Sequence, residues 1–173
     1  MGLLVLCVSA VNGLRLLRLF PNNDPIMAGT MPMSARGRRI VAFLFPVLCM
    51  VSFDVLSGKV GLWTGVTALT YGAIGLGLTG AYGRMQATGH RIGVVTYVWS
   101  GAVAVLVYDF ITGPIMSSLL WSMPFSTALA GQVPFTIKHL ASVAVYSVTV
   151  APAIDLALRR VPLARSILRA SET

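Results

Sequence analysis

The run Val107–Pro114, VYDFITGP, closes an apolar stretch with an aromatic residue, an aspartate, two apolar residues, a hydroxyl residue and a glycine. The same frame stands at Ser52–Lys59, SFDVLSGK, so that Asp54 and Asp109 occupy matching positions 55 residues apart. Asp155, in APAIDLALRR, comes near the end of a further apolar run without the Ser/Thr-Gly part. Three of the five acidic residues of the chain therefore close long hydrophobic segments. A carboxylate inside a membrane is costly unless it is paired or hydrated, so the pattern predicts three helix ends on one face, with these aspartates structural or turned to a partner.

Working outward, the composition sets the class. The chain has 173 residues, of which 56% are hydrophobic and only 10% charged, with a mean hydropathy of +0.82; a soluble domain carries about 25% charged residues. The sequence reads as an all-α integral membrane protein. Its net charge is +8, from 13 Lys+Arg against 5 Asp+Glu. These bases form short clusters between apolar runs, as loops at lipid headgroups do, and nucleic-acid binding is not expected. Cys7 and Cys49 lie inside apolar runs without CxxC or metal-ligand spacing and read as small buried hydrophobes. Met1–Ala10 has no basic residues ahead of its apolar stretch, so a secretory signal is not expected.

Six apolar segments can be drawn, each near the roughly 20 residues that cross a hydrocarbon core. The first, 3–20, ends in Arg15 and Arg18 and carries Ser9 and Gly13 on one stripe, where another helix could approach. The loop 21–39, PNNDPIMAGTMPMSARGRR, holds three prolines, the turn formers Asn22, Asn23 and Asp24, and an apolar core too short to span; it reads as partly re-entrant. The second segment, 40–57, contains Pro46 and ends at Asp54, for which Lys59 is a local charge partner. The third, 60–82, has Gly61 and Gly65 as GxxxG and a stripe of Ala73, Gly77 and Ala81, which predicts a central helix. Its Gly75, Gly77 and Gly80 spell GxGxxG, but no strand precedes them and no dinucleotide site is inferred. The fourth, 92–112, carries Tyr97, Trp99 and Tyr108; the fifth, 115–134, is polar and broken by Pro124 and Pro134; the sixth begins at Lys138 and His139. Residues 1–158 make one transmembrane domain and 159–173 a basic amphipathic tail for the membrane surface.

Six spans place both termini on one side, together with the ends bearing Asp54, Asp109 and Asp155. The three polar connections, at 21–39, 83–91 and 132–139, fall opposite. On that topology the positive charge does not settle orientation.

The first helix ends in R-L-x-P-x-N-x-x-P-I-x-A, here Arg18, Leu19, Pro21, Asn23, Pro25, Ile26 and Ala28. A second apolar helix ending in Ser52-Phe53-Asp54 and a glycine-rich third helix follow. In this order of parts, over most of residues 3–157, the chain resembles the substrate-binding S components of energy-coupling-factor (ECF) vitamin transporters and related small six-helix membrane proteins. The resemblance implies a six-helix bundle in a prokaryotic cytoplasmic membrane, termini inside, with a pocket near the outer face under the first, third and fifth connections. It also implies a scaffold subunit and ATPases as partners. The chain departs from the pattern in its arginine-rich first loop, and Ser9 and Gly13 are the nearest substitute for the alanine motif that docks such subunits.

The function expected is binding of a small vitamin-like or nucleobase-like molecule for uptake, without a cofactor and without catalysis. Candidate ligand groups are Asn22, Asn23 and Asp24 from the first loop, Tyr97 and Trp99 for stacking, and Gln132, Lys138 and His139 for polar contacts. Each has a plainer structural use, as turn residue, packing residue or interface anchor. Two other classes stay open: a non-transport subunit of a larger membrane complex, its basic tail docking a soluble or lipid partner, and an ion-coupled carrier using Asp54, Asp109 and Asp155. No HExxH, GxSxG or paired carboxylate–histidine arrangement is present, and His90 and His139 lack metal-like spacing, so neither a catalytic nor a metal site is expected.

Overall fold

A computed structural model describes residues 2–19 and 22–160. These residues form helices α1 (Gly2–Leu16), α2 (Pro25–Arg36), α3 (Arg39–Leu56), α4 (Leu62–Ala87), α5 (Val94–Phe110), α6 (Met116–Trp121) and α7 (Phe125–Arg160), and no strand is present among them. A π-helical turn, Ile111–Ile115, joins α5 to α6 around Pro114, which has no N–H to donate to a regular α-turn. Three stretches are long and apolar enough to cross a membrane: Arg39–Leu56, Val94–Trp121 and Phe125–Arg160; Gly2–Leu16 is a shorter apolar helix. The outer surface is apolar, with Leu62, Val95 and Trp99 more than 70% exposed.

The centre of the bundle is α2. Asp24 starts it, its Oδ1 accepting the N–H groups of Ile26 at 3.1 Å and Met27 at 3.2 Å, and Pro25 takes the first helical position, where a missing N–H costs nothing. Every residue from Pro25 to Ser34 is buried, as in a helix surrounded by others. Small residues allow that enclosure. A Cβ on Gly29 would stand 2.7 Å from the Phe45 ring, and one on Gly75 would stand 2.1 Å from the Ala42 carbonyl oxygen, marking close approaches of α3 to α2 and of α4 to α3. Ser34 donates to the Gly75 carbonyl at 3.0 Å.

Side-chain contacts fix the directions. Asp24 meets His139 and Ser142 on α7 while Arg36 meets Asp155 on the same helix, so α2 and α7 run parallel. α1 runs against α2, since Val11 packs at Gly29 and Asn23 bonds the last carbonyls of α1. The bundle thus has an Asp24 end and an Arg36 end, separated along the 12 residues of α2 by about 18 Å. The helix starts and stops place both Gly2 and Arg160 at the Arg36 end.

This architecture corrects four expectations. The partly re-entrant loop is a complete central helix, and the expected fifth and sixth segments are not separate: α7 runs unbroken through Pro134 and Pro152. With α2 a helix of its own and α7 continuous, Asp155 stands at the end of the bundle opposite Asp54 and Asp109, so the three aspartates do not share a face. The same two features bring the connections at 37–38 and 88–93 to the side of the termini. Finally, the stripe Ala73, Gly77 and Ala81 faces outward together with Gly61 and Gly65, and the glycines of α4 that pack tightly are Gly72 and Gly75. Ser9 and Gly13 face outward from α1. Of the expected tail, Arg159 and Arg160 belong to the last turn of α7, and 161–173 lie outside the described residues.

Candidate functional site

The Asp24 end holds a buried cluster assembled from four elements. Asp24 uses both oxygens: Oδ1 caps α2, and Oδ2 accepts the Tyr71 hydroxyl of α4 at 2.7 Å and stands 2.8 Å from His139 Nε2 of α7. Its own N–H donates to Ser142 Oγ at 3.1 Å. On the other edge of the imidazole, Nδ1 stands 2.8 Å from Asp109 Oδ1 of α5. Asp24, His139 and Asp109 are each at most 4% exposed, and the second oxygen of Asp109 is buried without a hydrogen-bond partner.

The geometry restricts the protons. An imidazole between two carboxylate oxygens donates to both as imidazolium, or donates to one and accepts from the other when that carboxyl is protonated. Four donors meet Asp24, which suits an ionised acceptor. The two arrangements then differ by one proton shifted between His139 Nδ1 and Asp109 Oδ1, and the cluster carries one net negative charge in either. Such a chain can hold a proton or pass one, and each member depends on the next for its place.

Above Asp24 and His139 opens a cavity of about 700 Å³, within the range of small-molecule sites. Arg15, Arg18 and Lys59 supply positive charge to it, and Phe53, Tyr71, Tyr108 and Phe135 supply aromatic walls. Arg15 lies over the Phe53 ring, 4.1 Å from its centroid, and donates to Met50 Sδ at 3.0 Å. Tyr108 and Phe135 each meet His139 edge-on at 5.8 Å, and Tyr71 and Tyr108 are 4.3 Å apart. Three cations at the mouth offset the negative cluster beneath and leave an excess of positive charge for a ligand.

Of the residues singled out in the sequence, Asn22, Asn23, Asp24 and His139 come together at this cavity. The amides of the two asparagines also hold the fold. Asn22 donates to the Phe135 carbonyl at 2.9 Å, Asn23 donates to the Leu14 carbonyl at 2.7 Å, and the Tyr146 hydroxyl donates to Asn23 Oδ1 at 2.5 Å. The other four stand elsewhere. Tyr97 is buried edge-on against Tyr82 toward the Arg36 end. Trp99, 72% exposed, lines an outward apolar groove between α4 and α5. Gln132 packs against Gly113, and Lys138 points outward. Asp109, expected as structural or partner-facing, belongs to the cluster, while Asp54 accepts from the Thr64 hydroxyl at 2.6 Å. No ion pair joins Asp54 to Lys59 among the described residues; Lys59 turns to the cavity. Asp155 pairs with Arg36 and Arg159 at the opposite end.

The sequence did not mark Arg15, Arg18, Phe53, Lys59, Tyr71, Tyr108 and Phe135 as lining groups. Arg15 and Lys59 were visible as charges beside apolar runs; Tyr71 sits within a glycine-rich run with nothing local to set it apart.

What these observations define is an all-helical protein with helices able to span a membrane and a cavity floored by an acid–histidine–acid chain. No family model, curated protein or solved structure matches the chain.

Proposed function

We propose that this chain is a membrane-embedded solute-binding protein for uptake of a small vitamin-like or nucleobase-like molecule, seated in the cavity at the Asp24 end. The observation that carries the reading is the cavity itself, where aromatic walls suited to a planar ring meet a cationic mouth suited to an acidic or strongly polar group. The layout shared with ECF S components supports coupling to a separate energising module, and the outward Ser9–Gly13 stripe of α1 is the face offered to it. Orientation follows from charge. Among the described residues the Arg36 end carries Arg36, Arg38, Arg39, Arg84, Arg91, Arg159 and Arg160, against Arg15, Arg18, Lys59 and Lys138 toward the other end. The arginine-rich end is therefore cytoplasmic and the cavity opens outward.

Native mass spectrometry of the protein purified in mild detergent tests this. A co-purifying small molecule is expected from the wild type and lost from Tyr108→Ala and from the Arg18→Gln, Lys59→Gln double variant. An empty protein bound in fixed stoichiometry to other membrane subunits would move the reading to the complex-subunit class.

A second reading is favoured by the Asp24–His139–Asp109 chain, because ionisable chains inside membrane bundles mark proton paths. On this reading uptake is linked to protons by these residues in place of Asp54 and Asp155. In proteoliposomes an imposed pH gradient would then drive uptake by the wild type and not by Asp109→Asn. Equal uptake with and without the gradient refutes it.

A further inference from the structure

The Arg36 end contains a second, smaller cleft of about 360 Å³. Arg36 enters it from α2, Arg159 from α7, and His90 and Arg91 from the connection before α5. Asp155 organises the two helix arginines: Oδ1 accepts Arg36 Nε at 2.8 Å, and Oδ2 accepts Arg159 Nε at 3.1 Å and Nη2 at 2.7 Å. Arg36 also donates through Nη2 to the Ile92 carbonyl at 3.3 Å, which leaves its Nη1 for another acceptor. Among the described residues, three guanidinium groups against one carboxylate leave the cleft with two net positive charges.

Arginines in the last turn of a helix neutralise its exposed carbonyls. That accounts for Arg36 and Arg159, which end α2 and α7. It does not account for Arg91, which stands in the connection just ahead of a helix start. α5 begins at Val94 after the N-cap residue Gly93, and no side chain caps it. The first N–H groups of this 17-residue helix therefore lack a partner within it, and an uncapped helix start favours anions.

We propose that this cleft binds a phosphate group, held by Arg36 and Arg91 with Asp155 fixing the Arg36 guanidinium. Forked guanidinium donors match two phosphate oxygens, whereas a carboxylate-lined or apolar cleft would reject them. Basic pockets between helices at the cytoplasmic surface hold lipid head groups in the same way. The phosphate comes either from an anionic phospholipid of the inner leaflet or from a soluble phosphate ester. The site is independent of the outward cavity, so its failure leaves that reading untouched.

The test uses the full chain in lipid nanodiscs. Phosphatidylglycerol is titrated against a phosphatidylcholine background, and retained lipid is counted by native mass spectrometry; glycerol 3-phosphate is titrated in parallel into detergent-solubilised protein. Selective retention of phosphatidylglycerol assigns the lipid source, and binding of glycerol 3-phosphate assigns the soluble one. In either case Arg91→Gln should weaken binding by about tenfold, as the loss of one charge-assisted hydrogen-bonded partner, without moving the thermal midpoint. Arg91 is exposed and its loss leaves Asp155 paired, so this variant keeps its fold. Equal retention of both lipids together with no binding of glycerol 3-phosphate would overturn the proposal, as would binding unchanged by Arg91→Gln.

Discussion

The two ends of α2 meet the same difficulty, charge within an apolar bundle, and resolve it differently. At its start Asp24 is 4% exposed, and its side chain receives two backbone amides, a tyrosine hydroxyl and an imidazole nitrogen. At its end the Arg36 side chain is 25% exposed, and its partner Asp155 is shared with Arg159, whose side chain is 54% exposed. A buried charge must be satisfied by several fixed partners, because each missing partner leaves an uncompensated group in low dielectric. A half-exposed charge such as Arg159 is screened by water, so its bond to the buried Asp155 contributes little to stability. The Asp24 end is thus the rigid one, and the Arg36 end is the adjustable one.

The largest effect should come from the rigid end. Asp24→Ala removes the cap of α2 and the acceptor of both Tyr71 and His139; it should destabilise the fold by about 3–5 kcal/mol, as measured by denaturant unfolding in detergent micelles. If the loss were below about 1 kcal/mol, the value ordinary for an exposed pair, the contrast between the ends would be gone. Next, Gly75→Ala drives a methyl into the Ala42 carbonyl, so α3 and α4 must part; a loss of roughly 1–3 kcal/mol is expected from overpacking. Arg159→Gln leaves Asp155 paired with Arg36 and should cost less than about 1 kcal/mol. Trp99→Ala lies outside both ends, and retention of the co-purifying molecule should not change; its loss would draw the ligand site toward the α4–α5 groove.

Part of the rigid end was legible in the chain. Asn22-Asn23-Asp24-Pro25 announces a turn and its capping chemistry, whereas no carboxylate–histidine pair was expected and the topology drawn from the sequence put His139 on the side opposite Asp109, an expectation that the packing of α2, α5 and α7 overturns. The pairing itself was not legible, because Asp24, Tyr71, Asp109 and His139 come from four separate elements and meet only through packing. The topology was misread at two places. Pro134 suggests a break, yet its helix continues, since neighbouring helices stabilise a proline-containing span that would fail alone. The Ile26–Met33 segment looked too short to span, and so its role as the central buried helix was hidden. Those two readings together placed Arg36, Arg38 and Arg39 opposite the termini and made the positive charge ambiguous; with α2 recognised as a central helix, the arginines of the described residues concentrate at one end of the bundle. The glycine pattern of α4 failed for another reason. Small residues permit close approach but do not say which face is approached, and both stripes of that helix were available.

α2 links two opposite ends of the bundle, with the cavity at one and the arginine cleft at the other. Cysteine labelling with a membrane-impermeant maleimide tests this directly, since the native Cys7 and Cys49 are buried. Lys59→Cys and Arg91→Cys, both at exposed positions, should label from opposite faces of sealed vesicles, Lys59→Cys from the outside and with protection when the ligand is bound. Labelling of both from the same face would contradict it.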